Sequence, residues 1–273
     1  MIPQANITAW RAAAPWADDA QVEQDLVLTR ALLEIFSEPD LAASVSLRGG
    51  TALQKLFIQP PYRYSEDIDL VQKVAGPIGP ILDACRAKLD SWLGKPTRSR
   101  AVGNVSLVYR FESEIPPVRP LRLKIEINTR EHFSVLGSAH RRVAVDNPWY
   151  SGEADVHTFE IDELLATKLR ALYQRRKGRD LFDLWLAVTR EILQPERVVS
   201  CFLKYMKREG HSVSRAQFEE NLHHKQSDRV FLDDVTPLLR PDVDYDAQAA
   251  TNLIRKTFLE RLSGAAWRGT TGE

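Results

Sequence analysis

The chain has 273 residues, with 37 Lys+Arg set against 37 Asp+Glu, and 44% of its residues are hydrophobic. That length suits one large or two modest domains, and that composition excludes a disordered chain. No apolar run reaches the roughly 18 residues of a membrane span, the N-terminus lacks a signal peptide's basic start and apolar stretch, and two cysteines, Cys85 and Cys201, exclude a disulfide framework or a four-cysteine zinc site. A soluble cytoplasmic protein is the expectation.

The neutral total conceals blocks of opposite sign. Residues 16–40 sum to −6 and residues 219–246 to −5, whereas residues 86–142 and 168–215 each sum to +7. A zero net charge argues against indiscriminate polyanion binding, but two basic blocks are compatible with a phosphate-facing patch if the acidic blocks lie elsewhere.

In chain order, the spacing of Val22, Leu26, Thr29, Leu33 and Phe36 predicts an amphipathic helix over 21–37. A short β-leaning segment, 44–48, runs into Gly49-Gly50-Thr51, and a short helix follows until Pro60-Pro61 stops it. Alternation then predicts a strand over 67–71, with Asp67 and Asp69 on one face and Ile68 and Leu70 on the other. A helix at 81–93 and strands at 104–111 and 121–128 come next. The segment 146–158, with Asn147-Pro148 and Ser151-Gly152, reads as a linker in which Trp149-Tyr150 is an anchor or a base-stacking platform. From Ile161 the periodicity is helical almost to the end, with breaks near Gly178, Gly210 and Pro237. The expected organisation is an α/β domain over 1–155 and an all-helical domain over 156–273.

Three clusters carry chemistry. Gly49-Gly50-Thr51 at a strand-to-helix turn lets backbone approach a ligand, with the Thr51 hydroxyl and the Lys55 ammonium nearby, although the P-loop pattern is absent. Asp67 and Asp69 point the same way and repel each other, which suits a Mg²⁺ ion held by two carboxylates and substrate phosphates; strand parity offers Glu126 as a third metal carboxylate. Lys168 interrupts the apolar stripe of a helix from Ile161, so it either snorkels to solvent or reaches a buried anion; Asp180 and Asp183 then share a helical face. His211, His223 and His224 lie in polar stretches and read as solvent-facing.

These spacings resemble the nucleotidyltransferase superfamily. In detail, Leu47-Arg48-Gly49-Gly50-Thr51-Ala52-Leu53-Gln54-Lys55, Arg63-Tyr64-Ser65-Glu66-Asp67-Ile68-Asp69-Leu70 and the later Lys168-Leu169-Arg170-Ala171-Leu172 and Arg179-Asp180-Leu181-Phe182-Asp183-Leu184-Trp185 look like the motifs of the AbiEii toxin family, the branch that includes the MenT toxins. The resemblance implies a nucleotidyltransferase fold with a mixed sheet, α/β in its N-terminal part, to which the helical domain contributes Lys168 and Asp183 as catalytic residues. It also implies Mg²⁺ (or Mn²⁺) on Asp67 and Asp69, and an NTP as nucleotidyl donor. Gly49, Gly50, Thr51, Lys55, Arg63 and Ser65 would bind the nucleotide. An RNA acceptor, tRNA for at least some members, and a cognate antitoxin complete the expectation, with Arg175, Arg176 and Lys177 as RNA-contacting bases. Phosphorylation of Ser65 would place negative charge beside the metal carboxylates. Two other readings stay open: a nucleotidyltransferase for a small hydroxylated molecule such as an aminoglycoside-like antibiotic, and an inactive nucleotide-binding module. The NTP used and the oligomeric state stay open too.

Overall fold

In the computed structural model, which describes residues 2–269, the chain divides into two compact units. The first comprises the residues through Phe159 together with Leu238–Pro241, and the second comprises Glu160–Pro237 and the residues from Asp242 onward.

The first unit runs α1 (Gln4–Trp10), α2 (Asp19–Phe36), α3 (Pro39–Ser44), β1 (Val45–Arg48), α4 (Gly49–Ala52), a π-helical turn (Leu53–Phe57), β2 (Asp67–Gln72), α5 (Gly79–Leu93), β3 (Thr97–Ala101), β4 (Asn104–Glu112), β5 (Pro120–Asn128), β6 (Ser138–Asn147) and β7 (Tyr150–Phe159). The strands form one sheet in the order β3-β4-β5-β2-β1-β7-β6. It is mixed: β2 pairs parallel with β5, β1 pairs parallel with β7, and the other neighbours are antiparallel.

Register turns the sequence alternation into rows across the sheet. Leu47, Leu70, Ile127 and Val105 lie opposite one another on β1, β2, β5 and β4, all buried. Helices α2 and α5 pack against these strands, and each such aliphatic side chain contributes about 2 kcal/mol on burial. The next row, one residue along, is Arg48, Asp69, Glu126 and Ser106. Since neighbouring residues of a strand point to opposite faces, the acids occupy the face away from the aliphatic row. Helix α2 begins where Asp18 Oδ1 accepts from Ala20 N at 3.0 Å, an N-cap that satisfies one free helix-start amide.

The segment read as a linker is a hairpin. β6 and β7 pair along ten positions, and Asn147 Oδ1 accepts from Trp149 N at 2.9 Å in the connecting turn. The predicted division at 155/156 therefore falls inside β7. Trp149 and Tyr150 are an anchor: the Arg30 guanidinium lies 4.0 Å from the Trp92 ring centre, 4.7 Å from that of Trp149 and 5.2 Å from that of Tyr150. Helices α1 and α3 and the edge strand β3, whose five residues are all exposed, carry no periodic apolar signal and are additions to the sequence reading. Leu238–Pro241 pairs with the segment before β2, with Tyr64 N donating to Leu238 O at 2.7 Å and Arg240 N donating to Tyr62 O at 3.0 Å.

The second unit contains, among the described residues, helical elements and no strand: α6 (Ile161–Gln174), α7 (Gly178–Thr189), α8 (Pro195–Arg208), α9 (Arg215–Gln226), α10 (Arg229–Asp233) and α11 (Ala247–Thr257), with two short 3₁₀ turns. α6 packs on α7 and α8, and α11 packs on α7. Their shared core includes Leu165, Leu169, Leu172, Phe182, Phe202, Phe218 and Ile254. No helix among the described residues is long and apolar enough to cross a membrane.

Candidate active site

The chain turns sharply from β1 into α4 at Gly49, whose φ of +79° is left-handed. A Cβ on Gly49 would fall 2.2 Å from Asp69 Oδ2, and one on Gly50 would fall 2.3 Å from Arg63 Nη2 and 3.0 Å from Ser65 Oγ. The two glycines thus let backbone lie directly against the side chains of Asp69, Arg63 and Ser65. Thr51 Oγ1 donates to Asp67 O at 2.5 Å and lies 2.9 Å from Ser65 Oγ, tying the turn to the start of β2. Arg63 is 1% exposed, and its Nη1 donates to Tyr64 O at 2.9 Å. Gly49, Gly50, Thr51, Arg63, Ser65, Asp67 and Asp69 therefore converge as one cluster.

Asp67 is the electrostatically unsettled member. Its Oδ1 is sealed from solvent and has no hydrogen-bond partner. Burial, then the charges of Asp69 and Glu66, push its carboxyl up to about 6, against the opposing pull of Lys124 and Arg122.

Two residues go elsewhere. Lys55 Nζ donates to Asp25 Oδ1 at 2.6 Å, and the same carboxylate accepts from Trp10 Nε1 at 2.9 Å and Trp16 Nε1 at 3.3 Å. The π-helical turn carries Lys55 onto α2, so it is a buried structural cation and not a phosphate ligand. Replacing it as Lys55→Met should strand the Asp25 carboxylate and destabilise the protein by about 3 kcal/mol in chemical denaturation. Glu126 lies beside Asp69 in register, but its carboxylate is engaged by the Lys124 ammonium and by Ser106 Oγ at 3.4 Å. Among the described residues no three His, Cys, Asp or Glu side chains form a metal-binding group, and Glu126 lies in register with Asp69 with its carboxylate turned to Lys124.

In the second unit, Lys168 neither snorkels nor lies open. It is 6% exposed, with Nζ 2.8 Å from Asp183 Oδ2 and 3.1 Å from Asp180 Oδ1, and both aspartates are fully buried. Arg175 completes the network, its Nε and Nη2 donating to Asp180 at 2.7 and 2.9 Å. Burial pushes the Asp180 carboxyl up, but Lys168 and Arg175 outweigh it and hold the group below the usual range. Asp180 as the shared acceptor of two cations is the residue the sequence reading did not assign. Its position on the Asp183 face was the available signal.

A family model described as nucleotidyl transferase AbiEii toxin, type IV TA system, matches residues 30–253. The chain belongs to the AbiEii family. Among solved structures, the nucleotidyltransferase toxin MenT4 of Mycobacterium tuberculosis is similar at 17% identity and a TM-score of 0.63, covering 96% of this chain and 91% of that one. An H. pylori protein assigned to the nucleotidyltransferases is similar at 18% identity and a TM-score of 0.55, covering 91% of this chain and 100% of that one. At such identities the likeness concerns the fold. A search of curated proteins finds no match.

An AbiEii protein is a nucleotidyltransferase, and a type IV toxin–antitoxin family implies a cognate antitoxin. Nucleotidyltransferases in general use an NTP and a divalent cation, and the AbiEii cluster has the donors for one. A buried, unpartnered carboxylate oxygen on Asp67 beside a second carboxylate on the same strand face is not fully compensated by Lys124 and Arg122, and Mg²⁺ is held by one or two carboxylates plus phosphate oxygens. The AbiEii turn also explains its first glycine. Gly49→Ala should add about 1–2 kcal/mol of left-handed strain and displace Asp69, so transfer should fall about a hundred-fold while circular dichroism stays native-like. A variant as active as the parent would mean that the Gly49–Asp69 approach is irrelevant to the chemistry.

The expected RNA contacts at 175–177 require correction. Arg175 is bound to Asp180, Arg176 lies 3.6 Å from Asp228 and Lys177 lies 3.3 Å from Asp234. Two acids of the block 219–246, Asp228 and Asp234, thus reach Arg176, Lys177 and Arg179 of the second basic block. Lys204 and Lys207, exposed on α8, have no acidic partner among the described residues.

Proposed function

We propose that the protein transfers a nucleotidyl group from an NTP to the 3′ hydroxyl of an RNA, with tRNA as the expected acceptor, in a reaction that depends on Mg²⁺ (or Mn²⁺). The observation that carries this reading is the half-buried Asp67, raised to about 6 with an unpartnered oxygen, beside Asp69 and facing the Gly49–Thr51 turn. A site that spends folding stability on two repelling carboxylates is built for a cationic ligand. When bound there, the divalent ion supplies Lewis-acid stabilisation of the charge that builds on phosphate oxygens.

The chain's own groups do the rest. Gly49 and Gly50 let the turn's backbone lie against Asp69, Arg63 and Ser65, and the Arg63 guanidinium, packed against Gly50, adds a fixed positive charge beside the site. Thr51 and Ser65 hold the turn against β2 and orient their hydroxyls in it. Lys168 uses two ammonium protons on Asp180 and Asp183 and retains a third for a substrate phosphate. Asp183, 2.8 Å from that nitrogen, holds it in place, which makes it a positioning residue.

For the RNA, exposed Lys204 and Lys207 replace residues 175–177 as the favoured backbone contacts. The double variant Lys204→Ala/Lys207→Ala should weaken tRNA binding and reduce the slope of log affinity against log salt by about 2, one per lost phosphate contact. An unchanged slope would move the RNA surface elsewhere.

The reaction itself is tested by incubating the protein with Mg²⁺, total tRNA and each NTP labelled at either the α- or the γ-phosphate. Label from the α position should enter an RNA band, and γ label should leave as pyrophosphate. Transfer of γ label would make the protein a kinase. Turnover with an aminoglycoside-like acceptor but not with RNA would favour the small-molecule reading.

A further inference from the structure

We infer that a cleft at the C-terminal ends of β2 and β5 receives the nucleobase of the nucleoside triphosphate, stacked against Phe133 and Phe159. This rests on the transfer reading above and adds the place where the nucleotide's base is held.

The cleft has a volume of 320 Å³ and is lined by Ser46, Val71, His132, Phe133 and Phe159 among others. That is the small end of the range for ligand pockets, large enough for one base and too small for a folded macromolecule. Its position is fixed by register. Arg48 lies opposite Asp69, and Ser46 lies opposite Val71. Asp67, Asp69 and Val71 alternate on β2 and share a face, so the cleft begins two residues, about 7 Å, beyond the carboxylate pair. In the other direction along the same segment lie Ser65 and Arg63, with Gly50 and Thr51 against them. The carboxylates therefore lie between the glycine turn and a cleft that presents Phe133 and Phe159 together with Lys73 and several hydroxyls.

A nucleoside triphosphate changes character at its α-phosphorus: a polyanion lies on one side, and a sugar and flat base on the other. With the α-phosphate at Asp67 and Asp69 and the outer phosphates on the side of the Gly49–Thr51 turn, the sugar and base point toward Phe133 and Phe159. Aromatic side chains stack any base through its π face.

The cleft is preformed, because its covering loop is tied down at both ends. Asn128 Oδ1 accepts from Arg130 N at 3.0 Å and Glu131 N at 2.8 Å, and Ser134 Oγ donates to Gly137 O at 2.9 Å. Glu131 pairs with Arg48, linking the loop to the strand position opposite Asp69. His132 Nδ1 lies 2.8 Å from Gln72 O. A carbonyl only accepts, so Nδ1 donates in this contact, which fixes the ring against the end of β2.

The test is calorimetric titration of the full chain with Mg²⁺ and a non-hydrolysable α,β-methylene nucleoside triphosphate, run beside inorganic tripolyphosphate. Phe133→Ala should weaken the nucleotide about ten-fold and leave tripolyphosphate unchanged. Equal losses for both ligands, or none for either, would overturn the base assignment. So would unchanged nucleotide affinity with a raised KM for RNA, which would give the cleft to the acceptor's terminal base. Failure of the unmutated protein to bind either ligand would instead remove the transfer reading and the inference with it. Should Phe133→Ala not fold, photo-crosslinking of the unmutated protein with an 8-azidopurine or 5-iodopyrimidine triphosphate decides. Adducts within 131–138 or at Phe159 are expected, and adducts confined to other peptides would overturn the assignment.

Discussion

Asp67→Asn should abolish nucleotidyl transfer, by about a thousand-fold or more, and at the same time make the metal-free protein more stable. The two effects have one cause. The Asp67 carboxyl is raised from 3.8 to about 6, so the folded protein holds its proton more tightly than the unfolded chain does. A raised folded-state pKa means stability that is complete below pH 3.8 and is lost as pH rises through about 6. In chelator at pH 7.5 the ionised group costs about 1–3 kcal/mol, which the neutral amide removes, whereas near pH 4 parent and variant should unfold alike. The amide cannot replace a carboxylate as a ligand for a divalent cation, so activity falls where stability rises. A variant both inactive and less stable at neutral pH would assign Asp67 a structural role. A variant that retains transfer would remove the site.

Lys168→Met should have the opposite signature, a loss of about 3–5 kcal/mol, because it leaves fully buried carboxylates without their shared cation. Asp180 keeps Arg175, which softens the loss at that carboxylate. With Lys168 gone, a buried carboxylate gains from protonation, and the destabilisation should shrink as pH falls from 7.5 to 5. The double variant Lys168→Met/Asp183→Leu should recover a large share of the loss, measured as a coupling energy in a double-mutant cycle. Additive losses in that cycle would contradict the network. In the unmutated protein the sign is reversed: Asp180 is held below the usual carboxylate range, so its contribution is present at neutral pH and is lost only in strong acid.

What could be read in advance follows from where chemistry is local. Asp67-Ile68-Asp69-Leu70 alternates on a buried strand, so both its facing and its two acids are legible from spacing alone. The rows that unite Arg48 with Asp69 and Ser46 with Val71 depend on register between strands 20 residues or more apart, which no local pattern encodes. Lys55 was misplaced for a related reason. Its one-turn spacing from Thr51 assumes a regular α-helix, but a π-helical turn intervenes and Asp25, thirty residues earlier, captures the charge. The β6–β7 hairpin was hidden by Asn147-Pro148, which reads as a break and is in fact the turn itself. Charge sums along the chain gave two basic blocks, yet Asp228 and Asp234 reach Arg176 and Lys177 only after folding. The three motifs that identify the AbiEii family survived all of this because each lies within a single short segment.

The most direct test of the central claim compares intact tRNA with tRNA whose terminal cis-diol has been oxidised by periodate, each incubated with the protein, Mg²⁺ and α-labelled NTPs. Transfer to a 3′ hydroxyl predicts label on the intact RNA, none on the oxidised RNA, and none on either with Asp67→Asn. Equal labelling of both RNAs, or labelling that persists in Asp67→Asn, would contradict it.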